Sequence, residues 1–96
     1  MTMRAALQAN DRQALQAIVD EFLASQDPKE PAKVRMEKMR RWIAAQEGVA
    51  SAELNPDLLD RDPPIREIRV TLEGQPATTR TIGVSLDPRG FRFDIR

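Results

Sequence analysis

The sequence predicts an α+β fold in which an N-terminal helical hairpin packs on one face of a three- or four-stranded antiparallel sheet, in the order α-α-(β)-β-β-β. Three observations carry that prediction. Apolar residues recur at three- and four-residue steps over residues 11–26 and again over 31–47. From about residue 65 the period drops to two and holds through three successive segments. Between these blocks stand Pro- and Gly-containing stretches that stop one element and start the next.

The first helix is DRQALQAIVDEFLASQ, residues 11–26. Leu15, Ile18, Val19, Phe22 and Leu23 form its apolar stripe, and Arg12, Gln13, Gln16, Asp20 and Glu21 fill the opposite face. Asn10 or Asp11 supplies its N-cap. Met3 and Leu7 continue the same spacing, so residues 2–9 are read as an extra helical turn or two, with the order of residues 1–10 left open. DPKEP, residues 27–31, then ends the helix, because each Pro lacks an N–H and disfavours helix in the residue before it. Pro31 suits the first position of a second helix running to about Glu47, and Gly48 suits a cap that needs a positive φ. Ala32, Met36, Met39 and Ile43 make its stripe, flanked by Val34 and Trp42. The tight linker predicts that the two helices form a hairpin.

After Gly48 the pattern changes. VASAEL, residues 49–54, reads as a short strand of small residues, and NPDLLDRDPP, residues 55–64, as a loop with Leu58 and Leu59 turned inward. Three strands follow over about residues 65–73, 78–86 and 91–96. Ile68, Val70 and Leu72 alternate with Glu67, Arg69, Thr71 and Glu73; Ile82, Val84 and Leu86 alternate with Thr81, Gly83 and Ser85; Phe91, Phe93 and Ile95 alternate with Arg92, Asp94 and Arg96. Gly74-Gln75-Pro76 marks the first turn. Asp87-Pro88-Arg89-Gly90 fits a type I turn with a glycine bulge at the second. The nine large apolar residues of these strands share one face, and the helices are the cover available to it.

Ninety-six residues, 41% of them hydrophobic and 31% charged, bound the chain to a single folded domain. Fifteen basic residues balance fifteen acidic ones, so no global field draws it to nucleic acid or an anionic membrane. Neither cysteine nor histidine occurs, which removes the thiolate nucleophile and the commonest general base and zinc ligand. No apolar run of eighteen residues and no apolar leader segment is present, and the expected compartment is the cytoplasm.

Each candidate for chemistry has a plainer reading beside it. Lys33, Arg35, Lys38, Arg40 and Arg41 on the second helix offer a basic patch for a phosphate backbone. They spread over more than half the helix circumference beside Glu30, Glu37 and Glu47, as a solvated face also would. The acidic set Glu53, Asp57, Asp60 and Asp62 lacks the alternation and the Gly of a calcium loop. The polar sheet face (Arg66, Glu67, Arg69, Thr71, Thr79, Thr81, Ser85, Arg92, Asp94, Arg96) has no stacking aromatic in phase, and cross-strand ion pairs account for it. Trp42, the single Trp, fits core closure better than a partner contact.

The last strand is the leading candidate. Phe91, Arg92, Phe93, Asp94, Ile95 and Arg96 are expected to form an apolar edge strand without Pro, left uncovered at the end of the sheet. Unpaired N–H and C=O groups on such an edge accept another strand. The competing arrangement has residues 49–54 fold back onto it. No Gly-rich phosphate loop, metal-ligand spacing or nucleophile elbow is present, so no catalytic, metal or cofactor residues are assigned. The expected function is a small protein–protein interaction module or accessory subunit, whose partner is another protein or a second copy of itself. The alternative is a nucleic-acid-binding accessory using the basic helix.

Overall fold

The computed structural model describes residues 2–27, 29–54, 66–87 and 90–95, without the side chains of Ala32, Arg66, Leu86, Asp87 and Phe91. Three helices, α1 (Met3–Gln8), α2 (Arg12–Ala24) and α3 (Ala32–Ala44), precede four strands, β1 (Val49–Leu54), β2 (Arg66–Leu72), β3 (Thr78–Asp87) and β4 (Gly90–Ile95). The result is the expected α+β arrangement, with an additional short helix at its start. Residues 55–65, which include the loop read over 55–64 with Leu58 and Leu59 turned inward, lie outside the described residues, as do Pro88 and Arg89 of the last turn.

Local chemistry explains where each helix begins and ends. Thr2 Oγ1 accepts the Ala5 N–H at 3.1 Å and caps α1. Asn10, at φ 52°, turns the chain left-handed after it. Asp11 N–H then donates to the Ala6 carbonyl (2.9 Å) and Asn10 N–H to the Leu7 carbonyl (3.3 Å), the paired bonds that terminate a helix on a left-handed residue. That break separates α1 from α2, which starts on Asp11 with its carboxylate accepting the Ala14 N–H at 3.0 Å. Pro31 precedes α3 and contributes no side-chain cap.

Helix α3 ends earlier than the sequence suggests, at Ala44, so Gly48 is not its immediate cap. Gly48 instead turns the chain into β1 at φ 82°, with Val49 N–H donating to the Gln46 carbonyl at 3.1 Å. Arg4 of α1 lies directly over it, so a Cβ at this position would run into Arg4 Cδ. Gly48→Ala is therefore expected to cost about 1–2 kcal/mol from the left-handed backbone plus the contact, read as a lower urea midpoint at unchanged m-value. A cost indistinguishable from zero would mean that Gly48 does not hold the left-handed turn and that α1 does not sit on it.

The strands make one antiparallel sheet in sequence order, β1-β2-β3-β4. Residues 49–54 do form a strand, but it pairs with β2 and not with the last strand. An inward row runs across the whole sheet as Leu54, Ile68, Ile82 and Ile95, each the register partner of the next. Ile68, Val70, Leu72, Ile82, Val84, Phe93 and Ile95 are all buried, as the alternation requires.

The helices close that face at different places. Helix α3 lies against β1 and β2, and α2 against β4. Helix α1 packs against α2, and its Met3, Ala6 and Leu7 are fully buried in the same core. Two arginines tie α1 to the sheet: Arg4 Nη2 donates to the Glu73 carbonyl at 2.9 Å, and Arg80 Nε to the Leu7 carbonyl at 3.4 Å. Helices α2 and α3 touch through Phe22 and Trp42, stacked with ring centroids 4.5 Å apart and 14° between planes. Trp42 is half-buried against the core, as expected of a residue that closes it.

Candidate functional site

Among the described residues β4 is an outer strand, at the opposite end of the sheet from β1. The hydrogen-bonding phase of its edge follows from the hairpin. Asp87 and Gly90 are register partners across a two-residue connection, which makes them a hydrogen-bonded pair. Counting along β4, Arg92 and Asp94 exchange backbone bonds with Ser85 and Gly83, while the N–H and C=O groups of residues 91, 93 and 95 point away from β3.

A contact agrees with this phase. The N–H of Phe93 donates to Gln16 Oε1 of α2 at 3.2 Å. One turn earlier on α2, Arg12 Nε lies 2.8 Å from Asp94 Oδ1. Asp94 is a residue of the polar sheet face, so Arg12 reaches it around the edge of β4. Both side chains are substantially exposed, at 65% for Arg12 and 47% for Asp94, and the pair contributes little stability. Thus α2 sets two polar side chains, four residues apart, along the edge of β4. The sequence pattern alone places Arg12 and Gln16 on a solvated helix face. Their i, i+4 spacing is visible in the sequence, but their reach depends on where α2 lies across the sheet.

The opposite edge is treated in the same way. Arg40 Nη1 donates to the Ala52 carbonyl of β1 at 3.1 Å, while its Nε and Nη2 grip Glu37 at 3.0 and 2.6 Å. Those hydrogen bonds hold the Glu37 carboxyl below the ordinary carboxylate range against a smaller opposing effect of desolvation, and Glu37 in turn raises the Arg40 guanidinium. Arg41 adds a second, looser contact to Glu37 at 3.3 Å, and Lys38 Nζ reaches Glu30 at 2.6 Å. Arg35 is half-buried and itself engaged, and Lys33 is exposed. Three of the five basic residues are interleaved with Glu30 and Glu37, and Arg40 serves the edge of β1.

The polar face of the sheet carries Glu53 opposite Arg69, and Glu67 and Asp94 on either side of Gly83. Arg66 has Val84 as its register partner, and its side chain lies outside what the structure describes. Of the acidic set, Glu53 is exposed on β1, and Asp57, Asp60 and Asp62 lie outside the described residues, as does Arg96 of the edge strand. Among the described residues, no group of three or more carboxylates is placed to hold a metal ion, and no helix is long and apolar enough to cross a membrane.

No family model, curated protein or solved structure matches this chain.

Proposed function

We propose that this chain is a small protein–protein interaction module, an accessory subunit that docks an extended segment of another chain along the edge of β4. One observation carries the reading: among the described residues β4 is an outer strand, and on its outward side the N–H of Phe93 is met by the Gln16 side chain. Gln16 occupies one hydrogen-bonding position there, and a docking strand supplies a whole row of them. The inward side chains Phe93 and Ile95 are 8% and 7% exposed, so the added strand extends a sheet that already has its core. Specificity then falls to Arg92 and Asp94, which flank the edge on the polar face. The pairing of Lys38, Arg40 and Arg41 with Glu30 and Glu37 weighs against the basic helix as the docking element.

Selection of short displayed peptides on the immobilised protein tests this, followed by mapping of the bound peptide through backbone amide shifts. The expected result is that the largest shifts fall on the amides of residues 91, 93 and 95. Shifts centred on α3 or on the middle of the polar sheet face would sink the reading. Salt-sensitive binding of a labelled oligonucleotide, lost in the Arg40→Ala, Arg41→Ala double variant, would replace it with nucleic-acid binding.

A further inference from the structure

We infer that the strand docking on β4 is the β4 of a second copy, antiparallel and in a single register centred on Phe93, so that two sheets join into one across a twofold axis. The inference rests on the proposal that the edge of β4 is a docking site, and it names the occupant.

The register follows from two constraints. The first is hydrogen-bonding phase. Residues 91, 93 and 95 face outward, so in a twofold antiparallel pair each must oppose an outward residue of the second copy. That permits centres on whole residues, such as 92, 93 or 94, and excludes centres between residues. The second is charge. A centre on residue 92 sets Arg92 against Arg92 of the second copy, and a centre on 94 sets Asp94 against Asp94. A centre on Phe93 sets Arg92 against Asp94 of the second copy, and Asp94 against its Arg92, two opposite-charge pairs on the exposed face. The same register lays Phe93 beside Phe93 on the core side, and its hydrogen-bonded pairs are 93 with 93 and 91 with 95. The motif Arg-Phe-Asp is thus self-complementary only when it is read antiparallel about its own centre.

The guard provided by α2 is compatible with this exchange. Gln16 Oε1 yields the Phe93 N–H to the Phe93 carbonyl of the second copy. Arg12 shares Asp94 with the incoming Arg92, an exposed side chain that is already engaged within its own copy and exchanges that contact for the pairing. Shortening Gln16 removes a competitor for the edge without touching the pairing residues.

Charge reversal tests the register in sedimentation of the full chain over a range of concentrations. Expected is a reversible dimer, tightened by Gln16→Ala. Arg92→Asp and Asp94→Arg, each alone, replace both attractive pairs by repulsive ones and weaken association by about tenfold or more. An equimolar mixture of the two variants restores it. One variant then carries aspartate at both positions and the other arginine at both, so every cross-strand pair in the mixed dimer joins opposite charges. A loss that came from damaged folding would not be rescued by mixing. The sequence has no cysteine, so a second measurement is clean: Arg92→Cys mixed with Asp94→Cys forms a disulfide-linked heterodimer, and Arg92→Cys alone does not. A protein that stays monomeric even as Gln16→Ala, or a dimer indifferent to the reversals, overturns the inference. If selected peptides still shift the amides of residues 91, 93 and 95, the docking edge stands and the second copy is the wrong occupant; if neither occurs, both fall.

Discussion

Ile82→Ala is expected to cost about 2–5 kcal/mol, a large share of the roughly 5–15 kcal/mol by which domains of this kind are stable. Ile82 is fully buried on β3, and its register partners on the inner face are Ile68 on one side and Ile95 on the other. Truncation removes methyl and methylene groups at the middle of a row that spans all four strands, where neighbours on both sides are fixed by backbone pairing and cannot collapse into the gap. At this chain length each kcal/mol lowers the melting temperature by about 4–8 °C, so the expected drop is about 10 °C or more. The control is the adjacent residue. Thr81 points to the other face, and Thr81→Ala is expected to change stability by about 0.5 kcal/mol or less. Urea denaturation of both variants decides the matter. Equal costs at the two positions would mean that the alternation does not separate core from solvent here, and the one-sided sheet would have to be abandoned.

That alternation is what makes the sheet legible in the sequence. Period two over about residues 65–73, 78–86 and 91–96 identifies the strands, which the structure places at Arg66–Leu72, Thr78–Asp87 and Gly90–Ile95, with Ile68, Ile82 and Phe93 inward. The partner of β1 is not legible. VASAEL has small side chains, and its alternation is interrupted by an irregularity between Val49 and Ser51, so its pattern fits either edge of the sheet. Pairing with β2 brings Glu53 opposite Arg69 and Leu54 opposite Ile68, a match apparent only once the register is known. Likewise the spacing of Met3 and Leu7 announces a helix, but the break after it depends on Asn10 adopting φ 52°, which Asn tolerates and does not require. The edge contacts of Arg12 and Gln16 are hidden for a different reason. Polar residues on the outer face of a helix look solvated until the position of the helix over the sheet is known, and here α2 lies close enough to β4 for both to reach its edge. On the basic helix, by contrast, the i, i+3 and i, i+4 spacing of Glu37 to Arg40 and Arg41 already shows in the sequence that the charges can be neutralised locally.

Leu7→Ala is expected to cost about 2–4 kcal/mol, and to act on α1 before it acts on the rest of the fold. A six-residue helix does not persist by itself in water, so α1 exists because Met3, Ala6 and Leu7 are buried against the core. Leu7 is fully buried, and its carbonyl also receives Arg80 Nε from β3. Removing its side chain weakens the anchor that holds Arg4 over Gly48 and over the Glu73 carbonyl, two contacts at the start of β1 and the end of β2. Hydrogen exchange separates a local effect from a global one. The expected pattern is loss of protection first at the α1 amides and at Glu73 N–H, which donates to the Gly48 carbonyl at 2.9 Å, while the amides of β3 keep protection near the remaining global stability. The contacts of Gln16 and Arg12 with β4 lie at the first turns of α2, immediately after Asn10, so a loosened α1 also frees the guard on that edge. In the dimer scheme Leu7→Ala then destabilises the monomer yet strengthens association per folded molecule, in the direction of Gln16→Ala. Uniform loss of protection across all strands, with association unchanged, would instead make α1 an ordinary part of the core with no hold on the edge of β4.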